Sequence, residues 1–238
     1  MRTLFISDLH LDEARPQIVD LFTRFLADEA RQADALYILG DLFESWIGDD
    51  DDAALPERVE QALRALHDGG VPVYFMHGNR DFLLGTDYAA RAGLTLLADP
   101  SIVDLHGERT LLMHGDTLCT DDVEYQKMRT QLRNPMWQKA VLSKPIPERV
   151  AMAQGLRAQS ESSKAGKEMD IMDVSTAAVE QAFRDSGCDV MIHGHTHRPA
   201  RHDYTVDGRK RVRWVLPDWY ERGGYLEVTP SGVTPREA

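Results

Sequence analysis

The sequence predicts an α/β fold: a sandwich of mixed β-sheets covered by helices, with a long helical segment late in the chain. Three observations predict it. Short apolar runs alternate with helical periods through the first part of the chain. A helical stretch fills roughly residues 121 to 185, and a β-rich tail with turn signals follows it. Early β-α-β alternation asks for parallel pairing and the later hairpins for antiparallel pairing, which together make mixed sheets.

Thr3 to Ser7 reads as the first strand, and Pro16 to Ala30 as a helix with Ile18, Leu21, Phe22, Phe25 and Leu26 on one face. Ala35 to Leu39 is the second strand. Leu55 to His67 is helical, stopped by Gly69-Gly70, and Val71 to Met76 is the third strand. Ile102 to Leu105 and Thr110 to Met113 form a hairpin turned at His106-Gly107. The helical stretch breaks around Asn134-Pro135 and Lys144-Pro145, where proline cannot continue the preceding helix. Val190 to Ile192 is a further strand. From Ala200 to Val228, β-rich flanks surround an Asp207-Gly208 turn.

A chain of 238 residues can bury a full core. Its 42% hydrophobic and 28% charged residues are those of a soluble globular protein. Two cysteines, Cys119 and Cys188, make no disulfide framework and suit a reducing cytoplasm. RTLFIS is too short for the apolar core of a signal peptide, and no apolar run approaches the roughly 20 residues of a membrane span. The net charge of −12 argues against nonspecific nucleic-acid binding.

The chemistry lies at the strand ends. Strand one ends in Asp8-Leu9-His10, YILGD ends in Asp41, and YFMHGN ends in Asn79. LLMHGD carries His114, and VMIHGHTH carries His195 and His197. If the backbone stays extended, Asp8 and His10 point to the same side. A single such end is ordinary, since a lone buried histidine is more often a hydrogen-bonded core residue and Gly-Asp is often a turn. Five in one chain point to a site at the carboxyl ends of the strands. Gly40, Gly78, Gly115 and Gly194 sit beside these residues and are expected to let backbone and ion approach closely. Mixed nitrogen and oxygen donors suit Mn²⁺, Fe²⁺ or Zn²⁺ better than Ca²⁺. Seven such side chains are too many for one tetrahedral ion and suit two ions sharing a carboxylate.

The motifs D-x-H, G-D, G-N-x-D, H-G-D and G-H-x-H, in this order from Asp8 to His197, resemble the calcineurin-like metallophosphoesterases. The resemblance implies two mixed sheets flanked by helices and two metal ions per chain. It implies that Asp8, His10, Asp41 and His197 hold one ion, and that Asp41, Asn79, His114 and His195 hold the other, with Asp41 bridging. Cys119 and Cys188 are then structural. This chain departs from the common G-N-H-D/E pattern with Gly78-Asn79-Arg80-Asp81. Arg80 is a poor proton donor but can clamp phosphate oxygens in a bidentate fashion. A phosphate leaving group needs little protonation, so Arg80 points to pyrophosphate cleavage rather than to a surface ion pair with Asp81.

GNRDFL, DLFESWIG and SKAGKEMDIMDV narrow the resemblance to the pyrophosphohydrolase branch of that family, which serves lipid A biosynthesis. That branch implies hydrolysis of UDP-2,3-diacylglucosamine to UMP and 2,3-diacylglucosamine 1-phosphate, with Mn²⁺ the usual ion. It implies catalytic work by Asn79, Arg80 and His195, and substrate contacts at Asn79, Arg80, Asp122, Ser160, Lys164, Lys167 and His195. It also implies a cytoplasmic protein peripherally bound to the bacterial inner membrane, with no nucleic acid and no obligate protein partner.

A metallophosphoesterase core at 1–120 and 171–238 is expected to carry a helical cap at 121–170 over the active site. From Tyr125 to Lys167 there are nine Lys or Arg against Glu148 and Glu161, an excess of seven positive charges that leaves −19 for the rest of the chain. The same segment carries Met136, Trp137, Val141, Leu142, Ile146, Val150, Met152 and Leu156. Patterning alone fits equally an ordinary hairpin packed on the core and a cap for an anionic lipid or bilayer surface; the resemblance favours the cap. Asp49 to Asp52 reads as a solvated loop, and His77, His106 and His202 receive no role. The rival readings are another dinuclear phosphatase, a non-enzymatic scaffold that should have lost ligands, and a nuclease disfavoured by charge.

Overall fold

The computed structural model describes residues 1–164 and 173–238, without the side chains of 159–164. The short apolar runs become central strands. β1 (Thr3–Ile6), β2 (Ala35–Leu39) and β3 (Val73–Met76) are buried almost throughout and pair in parallel, Ile6 opposite Ile38 and Ile38 opposite Phe75. Helices make the crossovers. α1 (Pro16–Asp28) starts with proline in its first turn, where no amide hydrogen is needed, and buries Ile18, Val19, Phe22, Phe25 and Leu26. α2 (Ala54–Asp68) buries Val59, Leu63 and Leu66 on the same sheet face. α3 (Thr86–Ala92) ends at left-handed Gly93 and leads into β4 (Leu94–Leu97), which pairs with β3. Seven and four residues are too few for periodicity to reveal either element.

The second sheet begins with the hairpin of β5 (Ser101–Leu105) and β6 (Glu108–Leu112). Four helices follow: α4 (Val123–Leu132), α5 (Pro135–Leu142), α6 (Ile146–Lys164) and α7 (Thr176–Ser186). β7 (Val190–His193) then pairs in parallel with β6, and β8 (Ala200–Val206) with β9 (Arg209–Val215) forms a hairpin beside it. His106-Gly107 and Asp207-Gly208 both have positive φ at the two turn residues, the conformation a tight two-residue hairpin requires. β10 (Gly224–Thr229) and β11 (Gly232–Glu237) return to the first sheet. The strand orders are β11-β10-β1-β2-β3-β4 and β5-β6-β7-β9-β8. The expected sandwich of two mixed sheets is therefore the observed architecture.

Phe5, Leu39, Met76, Leu112, Ile192, Leu216 and Leu226 fill the space between the sheets. Each such side chain contributes about 1.5–3 kcal/mol by burial. α1, α2 and α3 cover the outer face of the first sheet, and Val179 and Phe183 of α7 pack on Leu111 and Met191 of the second. Trp219 is fully buried, edge-on to Phe22 and Phe25, with its indole N–H donating to the Gly224 carbonyl at 3.0 Å. Its own amide donates to the Asp8 carbonyl at 3.1 Å, so this packing holds the loop after β1.

Candidate metal centre and active site

Parallel registry brings the ends of β1, β2 and β3 to one rim, and β6 and β7 present theirs at the same cluster. The expected alternation of an extended strand does not aim Asp8 and His10, because β1 stops at Ile6 and both residues are left-handed, with φ of 55° and 49°. What aims them is the loop after β2: Asp8 N–H donates to the Gly40 carbonyl at 3.1 Å and His10 N–H to the Asp41 carbonyl at 2.9 Å. Asp41, His195 and His197 are also left-handed, with φ of 54°, 67° and 53°. Such backbone in non-glycine residues costs of order 1–3 kcal/mol each and persists only where surroundings enforce it.

The structure brings all seven strand-end residues together. Asp41 Oδ2 lies 3.7 Å from His10 Nε2 and 3.9 Å from His114 Nε2, between the two imidazoles. His10 Nε2 is 3.3 Å from His197 Nε2, which is 3.4 Å from Asp8 Oδ1. On the other side, Asn79 Oδ1 is 3.0 Å from His114 Nε2 and 2.9 Å from His195 Nδ1. Among the described residues, Asp8 with His10 and His197, and Asp8 with Asp41 and His114, could each hold a metal ion. Asp8 Oδ1 is buried with no formed hydrogen bond, His197 Nε2 approaching only to 3.4 Å, a costly state for a carboxylate unless a cation balances it. Carboxylate, amide-oxygen and imidazole donors on rigid loops fit divalent transition ions.

Charge in the cluster shows the same demand. Burial opposes protonation of His114, yet Asp41, Asp116 and Asp8 raise it to about 9. Burial and the Asp41 charge push Asp81 up to about 6. His195 is carried down to about 3 by burial and the neighbouring His114 charge. His193, the buried neighbour that binds no member of the cluster, is likewise driven to about 3 by burial and Arg213.

Several supporting residues were not evident from the sequence. Glu44 is buried, 3.0 Å from His10 Nδ1, and turns Nε2 of that ring inward. Although burial acts against it, His10, Arg80 and Arg157 hold the Glu44 carboxyl below its ordinary range. Asp81 does not pair with Arg80. It is fully buried and accepts the amides of Leu42 at 2.7 Å and Gly78 at 2.8 Å, tying two ligand loops together. Tyr220 stacks on His10 at 5.2 Å and tilts on His197, with the Arg15 guanidinium 4.9 Å above its ring. A polar residue inside the apolar run Leu42-Phe43-Glu44 was the available signal for Glu44. The glycines allow the close backbone approach expected of them, since a Cβ on Gly40 would lie 2.6 Å from the Gly78 backbone and one on Gly78 2.3 Å from the Asp41 amide nitrogen, and they also make room for side chains. A Cβ on Gly78 would lie 2.1 Å from Asp41 Oδ1, and one on Gly40 2.5 Å from His114 Nδ1, so they admit neighbouring ligand side chains.

Arg80 is half-buried, its Nη1 3.9 Å from Glu44 Oε1 and its buried Nε without a hydrogen-bond partner. Asp122 accepts the Tyr125 amide at 3.0 Å as the cap of α4, and lines the groove that holds His195. Ser160 and Lys164 fall where side chains are outside the described set, and Lys167 lies outside the described residues. Asp49 to Asp52 is not merely solvated: Asp49 accepts the amides of Gly85 at 2.8 Å and Tyr88 at 2.9 Å, and Asp50 pairs with Arg149 at 2.5 Å.

Much of the basic excess of the helical segment faces the rest of the protein. Arg129 binds Asp116 at 2.7 Å, and Arg133 donates to the Gly78 carbonyl at 2.8 Å. Buried Arg149 also donates to the Ile47 carbonyl at 2.7 Å, and Arg157 lies 3.5 Å from Glu44. Between these anchors, Trp46, Phe82, Trp137, Val141, Met152 and Leu156 line an apolar chamber.

The sandwich and its ligand rim define a metallophosphoesterase, and the chain belongs to the calcineurin-like phosphoesterase family, which matches residues 1–199. Its relatives are more particular. It is 54% identical to the UDP-2,3-diacylglucosamine hydrolase of Stenotrophomonas maltophilia (strain K279a), covering 98% of this chain and 96% of the relative. The proteins of that name from Cellvibrio japonicus (strain Ueda107) and Aeromonas salmonicida (strain A449) are 50% and 53% identical, over 99% and 97% of this chain and 98% and 91% of theirs. A solved archaeal phosphodiesterase aligns over the whole of both chains at 12% identity, with a TM-score of 0.48.

Proposed function

We infer that this chain hydrolyses the pyrophosphate bond of UDP-2,3-diacylglucosamine, releasing UMP and 2,3-diacylglucosamine 1-phosphate for lipid A biosynthesis. The observation that carries the reading is the apolar chamber, which opens onto the ligand cluster through Asn79, Arg80 and Tyr125. A phosphatase of small polar esters has no use for an apolar wall at that position; a diacylated sugar does. The relatives' shared name supports the same substrate.

Asp8, His10, Asp41 and His197 would hold one Mn²⁺, and Asp41, Asn79, His114 and His195 the other. Bound there, the ions supply an activated water and neutralise phosphate charge. Arg80 grips the phosphoryl oxygens through donors not committed to Glu44, and Asn79 and His195 face the same oxygens. Asp116 fixes Tyr125 by accepting its hydroxyl at 2.7 Å and fixes Arg129 through its guanidinium, which sets the wall between groove and chamber. The departing group is itself a phosphate, so no strong proton donor is required. Residues 121–170 act as the cap on the core at 1–120 and 171–238, with Asp122, Ser160, Lys164 and Lys167 as substrate contacts.

The protein works as a peripheral protein on the cytoplasmic face of the inner membrane. Exposed Met136 and Leu142 on the cap support this, and among the described residues no helix is long and apolar enough to cross a membrane. The deciding assay follows UMP release from the diacyl UDP-sugar with and without Mn²⁺. Mn²⁺-dependent release is expected. Its absence with metal-loaded protein, alongside brisk hydrolysis of a simple phosphomonoester, would replace this reading with a general phosphatase.

A further inference from the structure

Three cavities meet in series at the ligand cluster. The apolar chamber shares Asn79, Arg80 and Tyr125 with the groove that holds the metal-ligating side chains. That groove shares Thr196 and Arg198 with a third cavity, which has no lining residue in common with the chamber. Asp173, His202 and Arg213 also line it. Its volume is about 230 Å³, well above the roughly 10–15 Å³ that a cavity needs to hold one water, so it has room for an organic ring.

We propose that this third cavity receives the uridine of the substrate, holding it at the opposite end of the groove from the acyl chains. The proposal rests on the pyrophosphate-cleavage reading and adds the subsite that reading lacks. A diacyl UDP-sugar has the order acyl sugar, two phosphates, nucleoside; the cavities have the order apolar chamber, ligand groove, polar pocket.

The lining chemistry favours a nucleoside over another phosphate. A carboxylate, Asp173, stands in the wall, where it can accept a ribose hydroxyl or the uracil N3–H, partners that a bare phosphate does not offer. The Arg213 guanidinium stands where it could meet a uracil carbonyl, while Pro199 and Val215 supply apolar contact. These groups are fixed. Asp173 accepts the Val174 amide at 2.7 Å and pairs with Arg198. Arg213 is buried, its Nε donating to the Tyr204 hydroxyl at 3.1 Å and its Nη1 to His193 Nε2 at 3.0 Å. Thr196 supplies an independent sign of a ligand. Its Oγ1 is buried without a hydrogen-bond partner at the junction of groove and cavity, while its amide donates to the Gly194 carbonyl at 2.8 Å. A buried hydroxyl left unpaired is unfavourable, and a bound sugar or base would relieve it.

Calorimetric titration of the Mn²⁺-loaded full chain with UMP, and separately with inorganic phosphate, tests this. Phosphate probes the groove alone and UMP probes groove and cavity together. Thr196→Val should weaken UMP about fivefold, the worth of one neutral hydrogen bond, and leave phosphate unchanged. Ala200→Trp, on the exposed edge of the cavity and away from every ligand, should fill it and weaken UMP at least tenfold, again sparing phosphate. UMP affinity unchanged in both variants would overturn the proposal. So would equal weakening of UMP and phosphate, which would make the cavity a support for the ligand loop. Failure of the parent reading appears elsewhere, as absence of UMP release from the diacyl UDP-sugar, and the calorimetric comparison decides the cavity in either case.

Discussion

At the scale of single residues, position relative to a strand end decides what a carboxylate does. Asp41 sits between an imidazole from each half of the cluster, 3.7 and 3.9 Å away, so its loss should empty both metal positions. Asp41→Ala is expected to retain the wild-type circular dichroism and to lose bound Mn²⁺ and activity together; two equivalents of Mn²⁺ in that variant would refute the bridging assignment. Glu44 acts at one remove. Glu44→Ala should release the His10 ring and weaken metal binding by roughly 10–100-fold, readable in a Mn²⁺ titration. His193 makes a prediction about pH. It is neutral when folded, donating to the Gly194 carbonyl at 2.8 Å and accepting from Arg213, with a pKa near 3 against about 6.5 unfolded. A depressed pKa means full stability above pH 6.5 and loss as pH falls towards 3, at about 1.4 kcal/mol per pH unit in between. In EDTA, His193→Gln should flatten denaturant midpoints between pH 6.5 and 5 relative to wild type; parallel curves would show that this histidine protonates in the native state. The ligands were legible in the sequence because each interrupts an apolar run. The supporting roles of Glu44, Asp81 and Asp116 were not, even though Glu44 also interrupts an apolar run and the other two lie within the motifs, since an acidic residue looks the same in sequence whether it is solvated or fully buried.

At the scale of elements, the helical segment shows what charge patterning reveals and what it hides. The helix breaks at Asn134-Pro135 and Lys144-Pro145 were readable because proline bars the preceding helix, and Asn134 caps α5 by accepting the Met136 amide at 2.8 Å. The destination of the charges was not readable, because spacing along a helix does not say what stands opposite it. α4 buries no residue, so its attachment depends on polar anchors such as Arg129 and Arg133 more than on an apolar face. Arg149 is the firmest of these anchors, donating to Lys144, Ile47 and Asp50 together. Arg149→Met should keep the aliphatic bulk but free the segment from the loop at Ile47 to Asp50. Amide hydrogen exchange in α5 is expected to quicken by about 10–100-fold, equivalent to roughly 1.4–2.8 kcal/mol of lost local stability, with Mn²⁺ content unchanged. Unaltered exchange would mean that apolar packing alone holds the cap.

At the scale of the whole molecule, two mixed sheets bring five strand ends from distant parts of the sequence to one place. The β-α-β alternation foretold the parallel strands β1 to β3, but not that the last strands, β10 and β11, return to the first sheet. The pairing of β10 with β1, which brings β11 along at the sheet edge, is a long-range contact that no local pattern encodes. On the proposed reading, this architecture would also give the substrate a direction. The apolar chamber lies towards α4, α5 and α6, and the polar cavity lies between Asp173, the loop after β7 and the β8–β9 hairpin. With the acyl sugar in the chamber, its phosphate would be drawn towards Arg80, and the uridine-side phosphate would remain over the proposed metal ligands. In-line displacement puts the incoming water oxygen opposite the leaving oxygen, so the phosphorus nearest the ligand cluster receives it. Cleavage from either side gives the same two products, so product identity alone cannot decide the direction. Hydrolysis in ¹⁸O-water is expected to label UMP and leave the sugar 1-phosphate unlabelled, as mass spectrometry of both products would read. Label in the lipid product would mean that the substrate lies the other way round, with its sugar-side phosphate over the cluster.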